Sequence, residues 1–231
     1  GGGQRWRIDR VERAGALVFD AVRVEPGVYR PAVRPPEADP ARRFHPPVPV
    51  WPMFLDLPLL RGDEVAHAPW LAATATPWPG AVSAWVSTEE SGGYAPNVNL
   101  AVPAIMGVTL APLATARAGV WDRGPALRIR LKGGALKSIS DPALMAGGNL
   151  LAIGDGTPGG WELMQFADAV PVAPGVWEIA RRLRGQAGTD AAMPEVWPAG
   201  SVVVLVDEAL RQVILPPDAR GQMRYWRIGP A

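Results

Sequence analysis

Histidines, cysteines and serines are the residue types that most often carry metal or nucleophilic chemistry, and this sequence offers few of them in useful positions. The two histidines, His45 and His67, lack the H-x-x-x-H spacing that places two imidazoles on one face of a helix. Because the chain contains no cysteine, disulfides, zinc-thiolate sites and thiol nucleophiles are excluded. No G-x-S-x-G string places a serine at a nucleophile elbow. We expect loop histidines and no metal site, with a histidine ligand pair as the alternative.

Adjacent carboxylates could serve acid–base chemistry on a sugar. Three such pairs occur: Asp63-Glu64, Glu89-Glu90 and Asp207-Glu208. Glycoside hydrolysis requires two carboxyl groups that face each other across the substrate, and neighbours on a chain do not provide that geometry. Charged residues are also common in turns at strand ends. We therefore interpret these pairs as turn residues and predict no catalytic residue.

A glycine-rich string, residues 154–159, matches the G-x-G-x-x-G pattern of dinucleotide-binding loops. Such a loop must open a helix whose N terminus receives the pyrophosphate. Here Pro158 lies inside the string, and a strand pattern from Gly160 to Phe166 follows it. The string therefore predicts a hairpin loop and no cofactor.

Tryptophan dominates the aromatic residues, with 10 Trp against 3 Tyr and 4 Phe. Several of them lie beside prolines: Trp51, Trp70, Trp78 and Trp197. Tryptophan is enriched at protein interfaces, and its flat ring can also stack on a sugar. These four are candidates for interface or glycan contacts, and burial in a Trp-rich core is the alternative.

Composition and charge limit the classes of partner. The 23 basic and 22 acidic residues leave a net charge of +1, without a run of Lys or Arg. A nucleic-acid groove or a polybasic membrane patch therefore has no electrostatic basis. No apolar stretch reaches the roughly 18 to 20 residues that a membrane span needs. With 48% hydrophobic residues in 231, the chain can bury a core, and we expect no direct nucleic-acid binding and no membrane span.

The elements that must position these residues are mostly short strands. Alternating residues over 5–11 and 17–24 predict a β-hairpin. Because a lone hairpin is marginal in water, we expect it to complete a sheet whose other strands precede residue 1. Seven prolines between Pro31 and Pro49 predict a linker over 35–49.

Beyond the linker, short strand-like runs separated by Gly and Pro turns continue to Leu215, a pattern typical of a sandwich or barrel. One short helix is predicted, with Asp141 as N-cap, Pro142 at the first helical position and Gly147 at the end.

Four segments of the C-terminal half resemble a known family of tail proteins. They are 149–156, 161–166, 174–177 and 182–190, and they contain G-x-E-x-x-Q-F, then P-G-V-W, then L-R-G-x-x-G-T. Earlier segments match too: the opening hairpin with 26–29, then 54–58 and 77–82. The chain resembles the C-terminal region of the tail-tip hub, or host-specificity, proteins of tailed phages. It is most similar to the large baseplate hub proteins of alphaproteobacterial gene transfer agents.

The resemblance implies a β-rich structural subunit at the distal end of a tail. The particle would be a virion or gene transfer agent made in a bacterial cytoplasm. The implied partners are other baseplate and tail proteins, namely the distal tail ring, the tail tube and a peptidoglycan peptidase. It further implies a homotrimer that contacts the recipient cell envelope during DNA delivery.

Within the last matching segment, we interpret Arg184, Gly185, Gly188 and Thr189 as a structural motif. The two glycines suit a backbone that needs positive φ or a close approach. The guanidinium of Arg184 can donate to carbonyls around the turn, and ligand binding is its alternative role.

The predicted fold is all-β: two sandwich-like or barrel-like domains with short helical turns, preceded by a β-hairpin left over from an upstream hub domain. The expected limits are 1–34 for the hairpin, 35–49 for the Pro-rich linker, 50–135 for a β-rich tail hub domain and 136–231 for a C-terminal β-rich domain with the L-R-G-x-x-G-T motif. The predicted function is structural, in tail-tip assembly and contact with the recipient envelope, without enzymatic activity or cofactor. The alternative is a glycan-binding accessory domain of a cell-wall-directed enzyme, for which a cell-surface glycan is the partner.

Overall fold

The computed structural model describes residues 4–13, 15–24 and 49–231. Strands account for 45% of it and helices for 7%, which confirms the predicted all-β class. The chain divides into two compact units, Gly1–His45 and Pro46–Ala231. The predicted linker lies almost entirely outside the described residues, as does His45.

The first unit contains the predicted hairpin, formed by β1 (Arg5–Arg13) and β2 (Leu17–Val24). Its register shifts between Ile8 and Arg10, so Asp9 is the extra residue of a β-bulge. Since side chains alternate along a strand, the bulge keeps Val11 on the same face as Trp6 and Ile8. On β2 that face carries Leu17, Phe19 and Ala21, whereas Val18, Val22 and Val24 lie on the opposite face.

The second unit contains the remaining strands and one helix. The strands are β3 (Trp51–Leu55), β4 (Trp70–Thr74), β5 (Val82–Ser87), β6 (Ala95–Leu100), β7 (Met106–Thr109), β8 (Leu113–Ala114), β9 (Trp121–Asp122), β10 (Leu127–Leu131), β11 (Leu150–Gly154), β12 (Glu162–Ala173), β13 (Val176–Leu183), β14 (Val196–Trp197), β15 (Val202–Leu205), β16 (Arg211–Gln212) and β17 (Tyr225–Pro230). Helix α1 spans Asp141–Met145, and 3₁₀ turns span Gln186–Ala192 and Pro217–Ala219.

Six antiparallel strands close into a barrel in the order β10-β7-β15-β11-β12-β13, with β13 pairing back onto β10. In this closing pair Ile129 lies opposite Trp177. The short strand β9 continues the sheet from β13. Closure removes the free edges of the sheet, which stabilises its backbone hydrogen bonds.

Strand β11 and its neighbours are apolar on both faces because they separate two cores. Ile153 and Met164 belong to a cluster built from five of the barrel strands, which fills the interior. Ala152 and Leu163 point to the other side and pack against β3 and β4. A third cluster joins the three-stranded sheet β16-β4-β3 to the sheet β17-β5-β6.

The barrel draws strands from both sides of the expected domain boundary. Strands β7 and β10 precede residue 135, and the other four follow it. The boundary between 135 and 136 therefore does not separate two sheets. The alternation of residues along a strand shows which face is apolar but does not identify the neighbouring strand. The sequence therefore did not predict that β7 and β10 pair with strands beyond residue 135.

The predicted helix is present, with a different cap. Ser140 has extended backbone angles and its Oγ accepts a hydrogen bond from the Ala143 N–H at 3.4 Å. Asp141 is therefore the first helical residue and Pro142 the second. A serine hydroxyl reaches the free N–H groups of the first turn as well as an aspartate does.

Candidate functional site

The two most specific motif segments meet at a buried ion pair. Arg184 lies just after β13 and Glu162 begins β12, and both side chains are fully buried. The guanidinium donates from Nε to Glu162 Oε1 at 2.5 Å and from Nη2 to Oε2 at 2.7 Å. Trp197 Nε1 also donates to Oε2 at 2.7 Å, and Arg184 Nη1 donates to the Ala114 carbonyl at 2.9 Å. This arrangement is a bidentate pair in which every guanidinium nitrogen and both carboxylate oxygens have a hydrogen-bond partner.

A second buried arginine lies two residues earlier. Arg182 Nε donates to Asp122 Oδ2 at 2.9 Å, and its Nη1 donates to the carbonyls of Pro125 and Ile179 at 3.0 and 3.1 Å. Asp122 lies on β9, so this pair ties the added strand to the barrel. Arg184 Nη1 lies 3.7 Å from Asp122 Oδ2, which links the two pairs into one network.

The pKa of Asp122 is lowered by this network. Partial burial acts to raise it, but the hydrogen bond from Arg182, the Gly124 N–H and the charges of Arg182 and Arg184 together outweigh burial. The carboxylate is therefore held in its charged form by the barrel itself.

The glycines of the motif form a sharp turn after β13. Gly185 has φ +60° and Gly188 has φ +78°, the positive values expected from the sequence. A Cβ on Gly185 would lie 2.7 Å from the Asp190 Cβ, whereas one on Gly188 would meet nothing within 4 Å. Thr189 Oγ1 accepts from the Leu163 N–H at 2.8 Å and donates to the Gln186 carbonyl at 2.7 Å.

Gln165, from the G-x-E-x-x-Q-F segment, fixes the helix to the barrel. Its Nε2 donates to the carbonyls of Leu144 and Gly148 at 2.7 and 2.8 Å. The polar residues of both motifs are thus used inside the fold. The sequence identifies Arg184 as a motif residue but does not identify Glu162 as its partner, although Glu162 lies in the G-x-E-x-x-Q-F segment.

The four candidate tryptophans occupy different environments. Trp197 is 5% exposed and lies in the barrel core, so the structure does not offer it for interface or glycan contact. Trp78 is half-buried, and its Nε1 has no hydrogen-bond partner among the described residues. Trp51 lines a pocket of about 380 Å³, where Lys132 Nζ lies 4.8 Å from its ring centroid. Trp70 is half-buried in a different pocket.

The structure brings two of the three carboxylate pairs together. Asp63-Glu64 and Asp207-Glu208 line one pocket with Trp70. Glu64 is already engaged, because its two oxygens accept hydrogen bonds from the N–H groups of Leu60, Arg61 and Gly62. Glu89-Glu90 lies in the turn between β5 and β6, as expected.

The other candidate sites have simple structural roles. The glycine-rich string connects the antiparallel neighbours β11 and β12, so it is the expected hairpin loop. His67 Nε2 lies 3.0 Å from the Leu215 carbonyl. Within residues 4–13, 15–24 and 49–231, no group of three or more His, Cys, Asp or Glu side chains could hold a metal ion.

Comparison with known proteins gives one finding. Residues 104–204 match a family model described as Rcc01698-like, C-terminal. The match begins just before β7 and ends within β15, so it spans the barrel and its buried network. No curated protein matches the chain. In the described part of the chain, no helix has the length and apolar character needed to cross a membrane.

Proposed function

We propose that this chain is a structural and interaction module of a phage-like tail baseplate hub, of the kind found in gene transfer agents. One observation carries the proposal. The segments that resemble the tail hub family contribute Glu162, Gln165, Arg184 and Thr189 to the buried polar contacts of the barrel. The residues most specific to the resemblance therefore specify the barrel, and the match to the Rcc01698-like model over 104–204 supports the same reading.

In this role the module acts through rigidity and surface contacts. A closed barrel with an internally paired charge network holds its loops in fixed positions, which suits a subunit that must transmit contact between a tail and a cell envelope. Its proposed partners are the distal tail ring, the tail tube and a peptidoglycan peptidase, and its proposed assembly is a homotrimer.

An affinity tag on the chain, expressed in a host that makes the particles, tests this proposal. The tagged chain should co-purify with tail proteins, and a map of the particle should show three copies of the barrel at the tail tip. Recovery of the chain only in fractions that lack tail proteins would overturn the proposal.

We also propose that the chain has no hydrolytic activity. Of the carboxylates beside Trp70, Glu64 is held by backbone N–H groups at both oxygens. Incubation with peptidoglycan and with oligosaccharides should release no product above background. Cleavage that disappears in the Glu208→Gln variant would contradict this.

A glycan-binding accessory domain is the second candidate function. It is favoured by the pocket that Trp70 lines together with carboxylate and arginine side chains. The two candidates differ in what they require, because the accessory role needs sugar affinity in the isolated chain and needs no tail particle.

A further inference from the structure

A pocket of about 240 Å³ lies where the loop between β3 and β4 meets the turn between β15 and β16. Trp70 forms part of its wall and also packs against the core that lies between the barrel and β3–β4. Leu210, which is buried, lines it from the other segment. Trp70 is therefore a half-buried lining residue that also packs against the core.

The polar wall of the pocket is fixed by internal hydrogen bonds. Glu64 binds the backbone N–H groups of its own loop at 2.7 to 3.2 Å. Gln212 Nε2 donates to the carbonyls of Val65 and Ala68, both at 2.7 Å, and its Oε1 accepts from the Val65 N–H at 2.9 Å. A site whose backbone is already ordered loses less conformational entropy when a ligand binds.

Three charged side chains of the pocket are left available for a ligand. Arg61, Asp63 and Glu208 are exposed, and their side chains make no hydrogen bond or ion pair with any residue that the structure describes. Arg211 adds a second guanidinium at the rim, although its Nη1 donates to the carbonyls of Glu208 and Leu210. The pocket thus offers both hydrogen-bond donors and acceptors around one aromatic ring.

This mixture of groups selects for a particular class of ligand. A metal cation or an amine would be repelled by the two arginines, and a phosphate or sulfate would be repelled by the carboxylates. A neutral sugar ring avoids both penalties, because each hydroxyl can accept from a guanidinium and donate to a carboxylate. Its C–H face can also pack on the indole. Sites for drug-sized ligands measure about 300–1,000 Å³, so a smaller pocket suits a single sugar ring.

We propose that this pocket binds one neutral pyranose unit of a glycan, with Trp70 stacking on the ring and Arg61, Asp63 and Glu208 binding its hydroxyls. As a receptor contact of a tail tip, this site rests on the proposed function. The binding itself belongs to the isolated chain and does not depend on it.

The test is a titration of the purified chain with uncharged methyl glycosides of glucose, galactose, mannose, rhamnose and N-acetylglucosamine. Saturation-transfer NMR and isothermal titration, up to about 20 mM sugar, cover the weak affinity expected of a single ring. At least one glycoside should bind saturably. Asp63→Asn and Glu208→Gln, both at exposed positions, should each weaken that binding several-fold while leaving the melting temperature unchanged.

Trp70→Phe and Trp70→Ala extend the test to the stacking surface. The phenylalanine variant should keep part of the affinity, and the alanine variant should weaken it about tenfold or more. Trp85→Ala is the matched control, because Trp85 is exposed on the separate sheet β17-β5-β6 and does not line this pocket. It should leave the affinity unchanged.

Several results would overturn the proposal: no saturable binding by any glycoside, affinity that survives both Asp63→Asn and Glu208→Gln, or binding of sulfate or calcium alone. Sugar binding by a chain that is absent from tail particles would instead support this site and contradict the hub proposal. A chain that is found in tail particles but binds no glycoside would support the hub proposal and contradict this site.

Discussion

At the scale of single residues, the buried pair of Arg184 and Glu162 sets the first expectation. Removing one partner of a buried pair leaves an uncompensated charge, which costs about 3–5 kcal/mol. We therefore expect Arg184→Ala to lower the free energy of unfolding by that amount in urea denaturation. Arg128→Ala is the control, because Arg128 pairs with Glu178 at the surface and such pairs contribute about 0–1 kcal/mol. Unchanged stability of Arg184→Ala with loss of delivery to recipient cells would assign Arg184 to receptor contact instead.

The two glycines of the same segment separate backbone strain from crowding. Gly188 has positive φ and open space, so Gly188→Val should cost roughly 1–3 kcal/mol from strain alone. Gly185 has positive φ and a close approach to Asp190, so Gly185→Val should cost more. Melting temperatures of the two variants decide this, and a greater loss at Gly188 would contradict the structure of the turn.

The stability of the fold should depend on pH through the carboxyl group of Asp122. Its pKa is lowered in the folded state, whereas in the unfolded chain it is about 3.9. Its pairing therefore stabilises the fold at pH values above about 4, and that stabilisation is lost as the pH falls through the lower folded pKa. Asp122→Asn should be less stable than the parent chain at pH 7, and the difference should shrink as the pH is lowered toward 3.

Denaturant unfolding at several pH values measures this difference. Asp218→Asn is the control, because Asp218 is exposed and forms no ion pair within the described residues. A gap between the parent chain and Asp122→Asn that stays constant down to pH 3 would show that Asp122 does not titrate with folding.

At the scale of elements, helix α1 depends on the barrel for its position. It has only five residues, too few to be stable alone. Gln165 donates to the carbonyls of Leu144 and Gly148, and Gln165→Met would leave both without this donor. The Leu144 carbonyl would keep the Gly147 N–H at 2.9 Å. We therefore expect a loss of about 1–3 kcal/mol from the two bonds removed, each of which contributes about 0.5–1.5 kcal/mol. Hydrogen exchange should become faster over 141–149 and remain slow in β11 and β15. Equal loss of protection across the barrel would contradict this local role.

The sequence predicted elements better than it predicted their partners. Strands such as β10, with alternating Leu, Arg and Ile, were visible because each has one clearly apolar face. Strand β17 was missed because the predicted strand pattern ends at Leu215. Strand β6 has no clear apolar pattern, because Pro96 and two asparagines interrupt its apolar residues. Glu162 and Arg184 could not be paired from the sequence, since their contact depends on the register of β12 against β13.

At the scale of the whole molecule, the second unit is a stack of cores rather than a row of domains. The barrel interior, the layer between the barrel and β3–β4, and the layer between β4 and β5 share strands with one another. Leu71 and Ala72, neighbours on β4, belong to different layers. Because β4 links the second and third layers, and β11, β12 and β15 link the first and second, damage to one sheet should spread to the others. The unit should therefore unfold cooperatively.

Removal of the hairpin unit should have little effect on the melting temperature of the remaining chain. Residues Gly1–His45 form a compact unit of their own, so a chain that starts at Pro47 should melt within about 2 °C of the full chain. The matched control is removal of β17 from the other end. That strand pairs with β5 along its whole length, and its Trp226 ring lies 5.0 Å from the ring of Phe54. Losing it should lower the melting temperature by many degrees. Differential scanning calorimetry compares the three chains, and a fall of similar size after either truncation would show that the hairpin packs onto the second unit.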